Sequence, residues 1–159
     1  MVIKNSSTYG ASLTSLGDGS DASFWREGGA WDSGTPSNSA ITVGTSYNAI
    51  AAINVAYAGP NTTPAGFLRY LILFNFGETS SLPSADTQVY AGLGLDNTGT
   101  GLIMDYQIGY TKATQAASFS GSFIYNALDT QPFNLYLYAK TGGGTMHIAF
   151  AHITVIGIS

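Results

Sequence analysis

The sequence predicts an all-β fold, an antiparallel β-sandwich, from three observations. From Ala40 onward, segments with apolar residues at every second position follow one another to the end of the chain. That period belongs to strands with one buried face. No window carries the 3.6-residue apolar spacing of an amphipathic helix. Turn signals separate the alternating segments at the intervals of a sandwich.

The elements follow in order. The first stretch, over about residues 1–39, is rich in Gly, Ser and Asp and is expected to be loop-rich. "AITV" from Ala40 opens the regular part, and "YNAIAAINVAY" sets Ile53, Val55 and Tyr57 against Asn48 and Asn54. "AGPNTTPAG" is a loop. "FLRYLILFNF" is apolar on both faces except at Arg69 and Asn75. "TQVYAGLGL" turns Val89, Ala91, Leu93 and Leu95 inward, and "DNTGTG" makes a hairpin turn into "LIMDYQIGY". "SFSGSFIY" carries Phe119, Phe123 and Tyr125 on one face. "FNLYLYAK" alternates Phe133, Leu135 and Leu137 with Asn134, Tyr136 and Tyr138, and "TGGGT" precedes the final run "MHIAFAHITVIGI".

At 159 residues the chain reads as one domain, residues 1–159. An immunoglobulin-like domain has about 100 residues, so the chain is too long for one and too short for two. A jelly roll of about eight to ten strands fits best. No repeat suggests a propeller or a solenoid.

Charged residues make up only 9% of the chain, against about a quarter in an average protein. Ser, Thr, Asn and Gly replace them. Neutral polar groups cost far less to desolvate than Lys or Glu, which favours a surface partly covered by other protein. A formal charge of -4 and scattered basic residues exclude a nucleic-acid-binding face. No run is long enough for a membrane span, and the first residues lack the apolar run of a signal peptide. Without cysteine there is no disulfide framework and no thiolate chemistry.

The final run raises the question of assembly. Met146, Ile148 and Phe150 share one face, and Ile153 and Val155 fall on the other. Either a bulge near His152 exchanges the faces, or the strand is covered twice, by its own core and by a sister subunit. The two-faced "FLRYLILFNF" favours the second, and an oligomer is expected. Phe67, Tyr70, Ile153 and Val155 are then candidates for the subunit interface.

"GSFIYNALDTQPFNLYLYAKTGGGTMHIAFAHITVIGI", roughly the last forty residues, resembles the closing half of tumour-necrosis-factor-like and complement-globular-head-like jelly rolls. The shared pattern is an aromatic-rich strand, a "LYLYAK"-type strand, a Gly-rich hairpin and a closing "VIGI" strand. The resemblance implies a ten-stranded jelly roll in compact homotrimers with aromatic residues around the three-fold axis. Tyr136 and Tyr138 are the matching candidates for that axis. The first half of the chain departs from the family pattern, so no cytokine or complement role is implied. Bacteriophage virion proteins use the same trimeric fold as capsid decoration (cement) proteins and as knobs at fibre tips.

Catalytic chemistry is sparse, and no enzyme is expected. His147 and His152 stand an odd number of positions apart, on opposite faces of a strand, and cannot share a metal without a bulge. No G-x-S-x-G elbow is present. Asp105 is the one carboxylate clearly inside a strand, and a single polar-face carboxylate is usually solvated. "GDGSDAS" and "GLDNTGTG" lack the EF-hand spacing for calcium and read as Asx-type turns. No cofactor or metal is expected. Both tryptophans lie in "FWREGGAWDSG", where Trp25, Arg26 and Trp31 either plug one end of the sandwich or contact a partner protein or a glycan.

Two functions emerge. The first is a homotrimeric decoration protein on the outer surface of a bacteriophage capsid, bridging capsomers of the major capsid protein. The second is a receptor-binding knob of a tail fibre that recognises a host-surface glycan. The sequence carries no coiled-coil or collagen-like shaft, which favours the first.

Overall fold

A computed structural model describes residues 3–6, 10–13, 22–28, 41–55, 68–78, 85–129, 131 and 133–158, the first three segments through their backbone. The described residues form twelve strands. They are β1 (Ile3–Ser6), β2 (Gly10–Leu13), β3 (Ala22–Gly28), β4 (Ile41–Val43), β5 (Asn48–Val55) and β6 (Arg69–Gly77). They continue with β7 (Thr87–Gly94), β8 (Leu102–Thr111), β9 (Ser118–Asn126), β10 (Phe133–Thr141), β11 (Met146–Ile148) and β12 (Phe150–Ile158).

One sheet has the order β1-β2-β3-β12-β6-β9, a second has β5-β10-β7-β8, and β11 pairs with β4. Every pairing is antiparallel. Chain neighbours β5 and β6 lie in different sheets, as do β6 and β7, β8 and β9, and β9 and β10. The arrangement β3-β12-β6-β9 over β5-β10-β7-β8 is a jelly roll. The all-β sandwich is as the periodicity predicts. Three strands, β1, β2 and β3, also occupy part of the stretch expected to be loop-rich. Their Ser- and Gly-rich sequences give weak local signals, and β3 is ordered by a partner, β12, from the other end of the chain.

The core lies between the sheets. Tyr70, Ile72, Phe74 and Phe76 of β6 and Ile153 and Val155 of β12 meet Ile53, Leu93, Leu135 and Leu137 of the facing sheet, all at most 4% exposed. Burying each such side chain stabilises the fold by about 1.5–3 kcal/mol.

The final run is two strands with a change of frame between them. In β11, Met146 and Ile148 are buried, and in β12 the buried positions are Ala151, Ile153, Val155 and Gly157. The shift occurs at Ala149, whose N–H donates to the Gly77 carbonyl at 2.8 Å as the chain passes from β4 to the six-stranded sheet. One residue outside the ladder inverts the parity of every side chain beyond it. The face exchange therefore explains both apolar sets, three residues before His152. Ile153 and Val155 are each 0% exposed within the single chain, so neither side chain offers surface to a sister subunit. That corrects their assignment to a subunit interface.

Candidate functional site

One exposed surface among the described residues is the outward face of the six-stranded sheet. Residues opposite each other on neighbouring antiparallel strands project to the same side, so register lays this face out in rows across β9, β6 and β12. Asn126 and Arg69 form the first row, and Ile124, Leu71 and Ile156 the second. Ser122, Leu73 and Thr154 follow, then Ser120, Asn75 and His152.

The face has an apolar end and a polar end. At the first, Ile124 is 48% exposed and Leu71 and Ile156 are half-buried, with the exposed Arg69 and Asn126 in the row beside them. The Ala127 N–H donates to the Leu68 carbonyl at 2.8 Å, which brings the fully exposed Leu128 beside this end. At the polar end Leu73, Asn75, Ser120, Ser122, His152 and Thr154 line an open groove of about 780 Å³. No carboxylate, ammonium or guanidinium group is among its lining residues. Short side chains on β9 leave it concave. Beneath them Gly121 has no room for a side chain, because a Cβ there would collide with the Tyr106 hydroxyl and stand 2.6 Å from Phe74.

The four-stranded sheet presents a different outer face, already satisfied internally. The Tyr47 hydroxyl donates to Asp105, and burial, followed by that hydrogen bond, holds the phenol well above its ordinary pKa. The Lys140 ammonium stands 4.3 Å from the Tyr47 ring centre and 5.0 Å from that of Tyr90, a paired cation–π arrangement. Asp105 is thus a hydrogen-bond acceptor within a built cluster. Tyr138 is 1% exposed, with its hydroxyl donating to the Asp96 carbonyl and its ring edge-on to Tyr47 at 6.4 Å. Gly94 and Gly99 make the space: a Cβ at either would stand 3.1 or 3.3 Å from the Tyr138 ring, and Gly99 holds φ +70°. The Asp96 carboxylate, held below its usual pKa by bonds from the Thr98 hydroxyl and N–H, pins the loop above Tyr138.

The remaining candidates divide as follows. Tyr70 and Tyr138 are buried inside the chain, which corrects their assignment to an interface and an axis. Tyr70 meets Phe133 edge-on at 5.1 Å, and the turn over Tyr138 removes Tyr138 from any neighbour. Tyr136 is half-buried on the outer face, 6.3 Å from Tyr138. Phe67 and Trp31 lie outside the described residues. Trp25 and Arg26 fall within β3, where register places Trp25 opposite Val155 and Arg26 opposite Thr154. Sequence reading missed Leu71, Leu73 and Ile124 as outward apolar positions, and the polar row beside them. The signal was present: β6 is apolar on both faces, and "SFSGSFIY" sets serines on the side away from its phenylalanines.

Among the described residues no group of three His, Cys, Asp or Glu is placed to hold a metal ion. His147 and His152 serve separate surroundings, and Nδ1 of His147 lies 2.9 Å from the Thr42 hydroxyl.

No protein-family model and no curated protein matches the chain. Among solved structures, it is similar to infectious bursal disease virus Gx strain at 12% identity and TM-score 0.43, over 86% of this chain and 32% of that one. It is similar to the infectious bursal disease virus VP2 subviral particle at 12% identity and TM-score 0.38, over 98% of this chain and 40% of that one. A CBM4 structure matches at 13% identity and TM-score 0.34, over 94% of this chain and 85% of that one. The chain thus spans less than half the length of the two viral chains. At these TM-scores the likeness adds nothing to the jelly roll that the strand order already defines.

Proposed function

We propose that the chain is a structural protein of a bacteriophage particle, a homotrimeric decoration (cement) protein on the outer surface of the capsid. The reading is carried by the apolar row of the six-stranded sheet, where Ile124, Leu71 and Ile156 adjoin. Contiguous aliphatic surface of this kind marks a protein contact. The charge-poor surface around it is cheap to desolvate. Three copies meeting through this end form a closed ring, and each ring offers three equivalent contacts to neighbouring capsomers. Such linkage multiplies a weak contact through high effective concentration. The resemblance of the last forty residues to trimeric jelly rolls supports the same reading. The work is interfacial, without catalysis or a cofactor, and the partner is the major capsid protein.

Light scattering of the purified chain tests the assembly, with three times the chain mass at micromolar concentration expected. Co-sedimentation with empty expanded capsids tests the partner. A stable monomer, or binding to host cells without binding to capsids, overturns the proposal.

A further inference from the structure

We propose that the polar end of the same face is a binding site for a neutral saccharide chain. The groove of about 780 Å³ has the size of a small-molecule site. Its polar groups are three hydroxyls (Ser120, Ser122, Thr154), the Asn75 amide and the His152 imidazole. The side chains of Asn75, Ser120, Ser122 and Thr154 make no hydrogen bond to another described residue. A ligand rich in hydroxyls would replace their water without breaking an internal bond. Hydroxyls and amides both donate and accept, which is what a sugar's hydroxyls require. Ser120, Asn75 and His152 stand opposite one another on three adjacent strands, about 4.8 Å apart, so successive strands can address successive parts of one sugar ring.

Leu73, 39% exposed at the edge of the groove, gives the apolar C–H face of a ring somewhere to rest. The uncharged lining selects against phosphate, sulfate and nucleic acid, each of which calls for Arg or Lys. Because the groove and the apolar end occupy different rows, saccharide binding and self-association can coexist. The inference holds whether the protein decorates a capsid or tips a fibre.

The test is an array of neutral and anionic glycans, including bacterial surface repeats, probed with the full chain. Any hit is then titrated by NMR. The expected result is binding to a neutral glycan, with amide shifts centred on Asn75, Ser120, Ser122, His152 and Thr154. Asn75→Ala is expected to weaken binding at least ten-fold, and Ser120→Tyr to abolish it by filling the groove, both with an unchanged melting temperature. If a variant unfolds, the shift map of the parent chain decides alone. No hit, hits confined to anionic glycans, or shifts confined to other surfaces overturns the proposal. Solution mass is measured on the same samples. A trimer that binds no glycan sinks only the saccharide site, and a monomer that binds one sinks only the assembly.

Discussion

The backbone N–H of His147 donates to Oε1 of Glu78 at 3.4 Å, while Oε2 of the same carboxylate has no partner among the described residues. Glu78 is 3% exposed, and burial pushes its pKa from 4.5 up to about 7, against the opposing pull of the His147 amide. The folded protein therefore keeps a proton that the unfolded chain releases, so stability falls as pH rises from 4.5 to 7. Glu78→Gln, which cannot ionise, should be more stable than the parent at pH 8 by roughly 3 kcal/mol and nearly equal to it at pH 4.5. Denaturant unfolding at the two values checks this, and a difference independent of pH refutes it.

Ile153 fills the core of its own chain. Ile153→Ala should cost about 2–5 kcal/mol of unfolding free energy through the cavity it leaves. The solution mass of the folded fraction should stay that of the parent. Loss of assembly at unchanged stability would restore Ile153 to an interface.

Ile124 lies on the opposite side of the same sheet, 48% exposed. Ile124→Lys places a charge in the proposed contact and should reduce the particle to a single chain in light scattering. Its melting temperature, measured at a dilution where the parent is also dissociated, should move by no more than a surface change allows, within about 0.5 kcal/mol. A trimer that persists unchanged argues against this contact.

Gly121 is bound on its inner side by Tyr106 and Phe74. Gly121→Ala should destabilise the fold by about 1–3 kcal/mol, because both rings must shift to admit a methyl group. Adding Tyr106→Phe, which removes the nearer atom, should recover part of that loss in a double-mutant cycle.

Much of the fold was legible in the sequence because period-two alternation survives wherever one face of a strand is buried. Val89, Ala91, Leu93, Leu135 and Leu137 all face inward as that alternation predicts. Leu95 does not, at 37% exposed, because β7 ends at Gly94. The frame change at Ala149 was not legible in position, since Ala carries no turn signal and fits either face. Tyr138 misled for a different reason. Its burial comes from a loop forty residues earlier, and alternation within one strand says nothing about what folds over its outer side. The outward patch was half legible: β6 announced a second apolar face, but only the register with β9 and β12 shows which residues complete it.

The place of β12 between β3 and β6 also bears on how the protein is made. Phe24 and Leu71 find their common neighbour only when Ile156 has left the ribosome. Until then the widest layer exists as two unjoined ribbons with raw edges, and contacts of such long sequence separation form slowly. A newly made chain is thus most exposed to mispairing with other nascent copies just before its synthesis reaches that segment. Shortening the carboxyl-terminal segment would split the layer down the middle and leave both halves adhesive.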